Sequence, residues 1–267
     1  MKNFMVANHK TKKRYGLFHY IETNLKAQIA NSIDLGWRRE DIVVLSNFEY
    51  EFMGVKNTVV ELNDNCLTGS KMFGLKWLYE NTDADVVWSH DLDAWQNAWF
   101  DAPDFKDVGA TYYSQPKFNG GSMFWRRTAV DIIEAILGRI KEKKKEREEP
   151  AINHVFKSKK YKDRITTIDN TFNVGCSGFV ERYVRSMKPI RVCHFHPYNR
   201  IAWETHALDR NGIGEIPITP RLECLIREYY GDLATELSEE GKKSRTLKKD
   251  KVNNIISKQE KIKNGNS

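Results

Sequence analysis

The chain has 267 residues, 40% of them hydrophobic and 12% aromatic, with a formal net charge of +7. That length suits one large domain, or one domain and a tail. No apolar run approaches the ~20 residues of a membrane span and the N-terminus lacks an apolar signal region, so a soluble, intracellular protein is expected. The four cysteines, Cys66, Cys176, Cys193 and Cys224, have no Cys-X-X-Cys spacing, which argues against a zinc site or a disulfide framework.

In chain order, Asn3 to Ala7 is a short apolar run that reads as a first strand. It passes through Asn8 and His9 into a basic loop, Lys10 to Arg14, a place where nucleotides dock in doubly wound sheets. Glu22 to Leu35 carries Leu25, Ile29 and Ile33 on one helical stripe, closed by Gly36. Ile42 to Leu45 and Asn57 to Leu62 read as further strands, and strand, helix, strand at this spacing predicts a parallel α/β half. A helix follows from Thr68 to Tyr79, ended by Asn81-Thr82-Asp83.

The segment Ala84 to Trp88 is short, apolar and β-branched, which suits a strand buried on both faces. Asp91 and Asp93 come just past it, where ligands sit in open α/β sheets. Carboxylates two apart in an extended segment project from one side of the backbone, and both can then reach one hard divalent cation. An Asp-X-Asp triplet alone is commonly a solvated turn or a helix cap. Here Trp88, Trp95 and Trp99 surround it, and carboxylates partly buried among them need a partner.

Asp107 to Tyr113 is a further strand, and Pro116 to Ser122 reads as a turn in which Gly120 and Gly121 permit positive φ or close approach to a ligand. Met123 to Trp125 resumes as strand, and a helix spans Ala129 to Ile140. Glu148-Glu149-Pro150 opens another, with acids at the positive end of the helix dipole, where capping alone would account for them. Ile165 to Ile168 and Phe172 to Val174 are short strand pieces. Ile190 to Tyr198 is an apolar strand that puts His194 and His196 on one face, although a strand histidine is commonly a satisfied core residue. The positive charge is concentrated in Arg139 to Arg147 with Lys157 to Lys160, and in a tail from Lys242 to Lys263. Such runs are usually solvated helix faces, and otherwise polyanion-binding surfaces. No internal repeat is present.

Taken together, these elements resemble the metal-dependent glycosyltransferases of the GT-A fold. A helix with Lys71 and Lys76 precedes an apolar strand ending in Asp91-Leu92-Asp93. Then come Phe118-Asn119-Gly120-Gly121-Ser122, the acidic helix start Glu148-Glu149 and a late histidine. The resemblance implies an α/β, Rossmann-like mixed sheet flanked by helices, in a domain of residues 1–237. A basic, marginally helical or disordered tail of residues 238–267 would follow. It implies sugar transfer from a nucleotide-sugar donor to an acceptor hydroxyl, with Mn²⁺ or Mg²⁺ held by Asp91, Asp93 and either His194 or His196. Ala7, Asn8, His9, Lys13, Asp91, Gly120 and Gly121 would contact the donor. Asn119 and Glu148 or Glu149 would serve catalysis, the latter as base or oxocarbenium stabiliser, with inversion or retention open. It further implies no membrane span and a cytoplasmic location, host cytoplasm for a viral enzyme. The acceptor could be a glycan or, given the basic runs, hydroxymethylated DNA. Two readings from other classes remain at this stage. One is a two-carboxylate nuclease or phosphotransferase, for which Asp85 and Asp104 are the nearby acids. The other is a non-catalytic nucleic-acid-binding protein.

Overall fold

The computed structural model describes residues 1–8, 18–62, 70–114, 117–142, 147–175, 183–194, 219–222, 224–226 and 228–229. Contacts divide the chain into two units, Met1–Phe195 with Pro217–Leu225, and His196–Ile216 with Ile226–Ser267. In the second unit only residues 226, 228 and 229 are described, all helical, so the expected tail of residues 238–267 lies outside the described residues.

The first unit is a mixed α/β structure. Its described strands are β1 (Lys2–Ala7), β2 (Ile42–Ser46), β3 (Glu51–Phe52), β4 (Val55–Lys56), β5 (Thr58–Val59), β6 (Val86–His90), β7 (Ala94–Gln96), β8 (Val108–Ser114), β9 (Lys117–Arg126), β10 (Ile165–Thr167), β11 (Val174–Gly175) and β12 (Val192–His194). The longer helices are α1 (Phe18–Asp34), α2 (Ser70–Asn81), α3 (Val130–Glu142) and α4 (Glu148–Phe156). Seven strands form one sheet in the order β10-β8-β9-β6-β1-β2-β5. The half β6-β1-β2-β5 is parallel, as the spacing of its strands and helices predicts, whereas β9 runs antiparallel to both β6 and β8. A small sheet β11-β12-β7 and the hairpin β3-β4 stand apart from it.

Successive residues of the central strands enter opposite layers, as the period of two in a strand requires. Phe4, Val87, Met123 and Trp125 join the cluster made with α2, α3 and α4. Met5, Trp88 and Phe124 join the one that holds Leu25 and Ile29 of α1, with Phe100, Phe105 and Phe172. Burial on both faces explains why these strands read as continuous apolar runs. Two indoles cross-link β6 to β9: Trp88 Nε1 donates to Ser122 Oγ at 2.9 Å, and Trp125 Nε1 donates to Ser89 Oγ at 3.0 Å. Both serines are fully buried, so each satisfies an indole N–H that the core would otherwise strand.

The sequence reading needs correction in four places. Lys117 to Ser122 is not a turn but the first half of β9: β8 pairs Lys117 and Phe118, β6 pairs Ser122, and Asp91 N bonds the Gly121 carbonyl between them; Pro116 lies outside the described residues. The expected strand over 57–62 contracts to β5, since Asn57 is spent on a loop: its amide donates to Ser46 Oγ and the Phe48 carbonyl, and its oxygen accepts from Tyr50 N. Residues 170–172 form a short 3-10 turn in which Thr171 N is capped by the Asp169 side chain, so the strand begins only at Val174. The strand expected over 190–198 is described only as β12, and His196 lies outside the described residues.

Candidate metal centre and active site

Asp91, Leu92 and Asp93 do not lie in an extended segment. They turn the chain from β6 into β7, with Ala94 N donating to the Asp91 carbonyl at 3.0 Å. The turn, rather than strand alternation, brings the two carboxylates together. Asp91 N donates to the Gly121 carbonyl of β9 at 2.8 Å, and Leu92 packs toward the α1 cluster, which leaves the acids at the turn's open side. The partner of β7 is β12, in antiparallel register with His194 opposite Ala94. That register delivers the imidazole to the carboxylates: His194 Nε2 is 3.2 Å from Asp93 Oδ1 and 3.9 Å from Asp91 Oδ2.

One ligand atom from each of Asp91, Asp93 and His194 lies within 4.8 Å of the others. Two carboxylate oxygens and one imidazole nitrogen suit a divalent cation that shares its remaining positions with water or phosphate. The backbone is cut to accommodate the ring. A Cβ on Gly121 would stand 2.1 Å from His194 Cε1 and 2.3 Å from Nδ1, so glycine is required there by close approach and not by φ. Burial lowers the affinity of the His194 ring for a proton, but Asp93 and then Asp91 outweigh it and the pKa is raised.

Beneath the turn lies a buried ionic cluster. Lys71 of α2 donates to Asp91 Oδ1 at 2.6 Å and to the Gly120 carbonyl at 2.5 Å, and it stands 3.3 Å from Glu148 Oε1. Burial disfavours the ammonium, yet Asp91 and Glu148 raise its pKa overall, so Lys71 is charged. Burial pushes Glu148 up to about 7, against the pull of Lys71 and with the help of Asp91. Glu149 is the more accessible acid, its side chain 31% exposed against 9% for Glu148. It lies 3.3 Å from Lys117 Nζ and accepts from Asn119 Nδ2 at 3.3 Å. Asn119 Oδ1 accepts from Gly121 N at 2.9 Å and from Asn173 Nδ2 at 2.6 Å. Asn153 fixes α4 to β9 by bonding both backbone groups of Phe118.

Asp91, Asp93, His194, Asn119, Gly120, Gly121, Glu148 and Glu149 are therefore neighbours. Ala7 has its methyl in the core, so only its backbone faces the strand ends. Asn8 is buried, donating to Ser70 Oγ and accepting from Asn47 Nδ2. His9, Lys13 and the rest of the basic loop lie outside the described residues. Lys76, paired with Glu80 and Glu134 on the surface, takes no part. Asn173 and Lys117 escaped the sequence reading; the only local signal near Asn173 is the Asp169 cap before it. Asp85 precedes β6, at the opposite end of that strand from Asp91, and neither it nor Asp104 joins the cluster, so the nuclease reading is not favoured. Lys157, Lys159, Lys160 and Lys162 follow the C-terminal end of α4, whose N-terminal end carries Glu148, about 13 Å of helix apart.

Sheet order, crossover helices and an antiparallel strand beside the acid-bearing turn define the GT-A glycosyltransferase fold. Among solved structures the chain is similar to the galactosyltransferase LgtC, crystallised with donor and acceptor sugar analogues. The match has 15% identity over 81% of this chain and 98% of that one, with a TM-score of 0.54. It is also similar to the glycosyltransferase GlyE of Streptococcus pneumoniae TIGR4, at 11% identity over 87% of this chain and 64% of that one, with a TM-score of 0.52. No protein-family model matches the chain, and no curated protein matches its sequence. No helix among the described residues is long and apolar enough to cross a membrane.

Proposed function

We propose that this chain is a metal-dependent glycosyltransferase that moves a sugar from a nucleotide-sugar donor to an acceptor hydroxyl. Fold alone does not establish chemistry. The observation that carries the reading is the convergence of Asp91, Asp93 and His194, next to a buried lysine–glutamate pair, at the end of the central strand β6. These three residues would hold Mn²⁺ or Mg²⁺. Such a cation, when bound, neutralises charge developing on a leaving diphosphate.

The chain's own groups divide the remaining work. Lys71 holds one oxygen of Asp91 and so orients its carboxylate. The β9 backbone at Gly120 and Gly121, with Asn119, forms the wall against which a donor sugar or acceptor rests. Glu149, half-buried and oriented by Asn119 and Lys117, is the acid placed to face the reacting carbon as base or oxocarbenium stabiliser. Glu148, buried and able to keep its proton near neutrality, offers a hydrogen bond rather than a charge. The acceptor would be a glycan or, given the basic runs, hydroxymethylated DNA; of the described basic residues, Arg147 caps the Glu148 end of α4 while Lys157, Lys159, Lys160 and Lys162 follow its other end.

The test is Asp93→Ala with a panel of nucleotide sugars and Mn²⁺ in a thermal-shift screen, followed by transfer assays. Wild type should be stabilised by one donor only when metal is present, and the variant should lose both that stabilisation and transfer while retaining its melting curve alone. Full activity of the variant, or of wild type in EDTA, would refute the reading.

A further inference from the structure

Helix α1 carries three carboxamides, Asn24, Gln28 and Asn31, spaced four and three residues apart and therefore on one face. All three are at most 2% exposed. Buried amides of this kind are costly unless bonded. The two amide hydrogens of Gln28 go to the carbonyls of Leu92 and Ala94, each at 3.0 Å, and Asn31 Nδ2 goes to the Gln96 carbonyl, also at 3.0 Å. Residues 92, 94 and 96 share one parity, so their carbonyls point to one edge of β7. The opposite edge pairs with β12, and Asn97 N donates to the Arg191 carbonyl on that side. Side chains of α1 thus occupy the place a neighbouring strand would take.

We propose that Gln28 is the positioning residue of the metal-binding turn, an inference that rests on the metal reading above. One amide nitrogen ties the carbonyls on either side of Asp93, so the direction in which that carboxylate leaves the backbone is set from α1. Asn31 makes the same kind of bond three residues beyond Asp93, which supports the strand and not the turn. The incoming limb is held separately, by Asp91 N on the Gly121 carbonyl and by His90 Nδ1 on the Asp91 carbonyl at 2.9 Å. Gln28 supplies the outgoing limb. Outer partners of this type govern how well ligands are presented to a metal, and their loss typically weakens binding about 10–100-fold.

The experiment titrates the full chain with Mn²⁺ alone, reading free Mn²⁺ by electron paramagnetic resonance, and records a thermal melt of each protein. Gln28→Met keeps the length of the side chain and removes both donors; Asn31→Leu removes a bond to the same strand and the contact of Asn31 Oδ1 with Arg221. The expected result is a Mn²⁺ affinity about 10–100-fold weaker in Gln28→Met and unchanged in Asn31→Leu, although Asn31→Leu melts at least as low. Equal affinities for wild type and Gln28→Met, or equal losses in both variants, overturn the positioning role while leaving the metal site standing. A wild type that binds no Mn²⁺ overturns the metal reading and the inference with it. Should Gln28→Met fail to fold, Gln28→Glu, of the same shape with at most one donor, is read by the same criteria.

Discussion

Gly121→Ala is the sharpest perturbation of the proposed centre, because adjacent glycines of β9 face different neighbours. The new methyl would lie 2.1 Å from His194 Cε1, 2.3 Å from Nδ1 and 2.9 Å from Asn119 Oδ1. Carbon contacts settle at about 3.5–4.0 Å, so the ring must withdraw by roughly 1.4 Å. The backbone is tied here by the bond of Asp91 N to the Gly121 carbonyl and by the pairing of Ser122 with His90; the ring, on a side chain 18% exposed, yields more easily. Metal–ligand distances tolerate about 0.2 Å, so His194 no longer serves. Mn²⁺ affinity should therefore fall at least about 10-fold, the lower end of what losing a mere outer partner costs, with overpacking destabilising the fold by about 1–3 kcal/mol. Gly120→Ala is the internal control. Its Cβ would meet Ile152 Cδ1 at 3.4 Å and Glu148 Oε1 at 3.5 Å, ordinary contacts, and its Mn²⁺ affinity should match wild type. Calorimetric titration with Mn²⁺ and a thermal melt of the three proteins decide the matter. Wild-type affinity in Gly121→Ala would refute the placement of His194.

Two further outcomes follow from the buried ionic cluster. Glu148 has a folded pKa of about 7 against an ordinary 4.5, so the folded state holds the extra proton between those values. The associated stability is fully present below the ordinary value and is lost as pH rises through about 7, on the order of 3 kcal/mol at 1.36 kcal/mol per unit. Urea melts from acid to mildly alkaline pH should show wild type losing stability relative to Glu148→Gln across that window, and parallel curves would dismiss the buried acid. Lys71→Met leaves the Gly120 carbonyl and Glu148 without their ammonium, and should cost about 3 kcal/mol, the low end for a broken buried pair because Glu148 can take up a proton. The double variant Lys71→Met, Glu148→Gln should recover part of that loss in a urea-melt cycle; strict additivity would mean that the two residues do not interact.

Much of the fold was legible because the central strands are buried on both faces. Phe4, Met5, Val44, Leu45, Val87 and Trp88 leave no polar alternation to confuse with a surface strand, and the stripe Leu25-Ile29 marks α1 without help from tertiary structure. β9 was not legible. Asn119-Gly120-Gly121-Ser122 has the composition of a turn, and it runs as strand between the residues paired to β8 and those paired to β6, with Gly121 leaving the room that the His194 ring needs. Asp91 and Asp93 stand out in the sequence after an apolar strand, and Asn119, Glu148 and His194 through the family resemblance, whereas the residues that support them do not. Gln28 reaches its carbonyls across 64 and 66 positions of sequence, and Asn173 reaches Asn119 across 54, distances at which no local pattern carries information.

The cluster geometry also separates the two aspartates, to one of which, Asp91, the sequence reading assigns a donor contact besides the metal. Lys71 occupies Oδ1 of Asp91 and leaves Oδ2 on the side of His194, so Asp91 has one oxygen for a cation. Its side chain is 43% exposed, while that of Asp93 is 15% exposed with an oxygen 3.2 Å from the imidazole. Two carboxyl groups, Asp91 and Glu148, flank Lys71. The bond from Lys71 thus takes one oxygen of Asp91, whereas Asp93 keeps an oxygen 3.2 Å from the imidazole of His194.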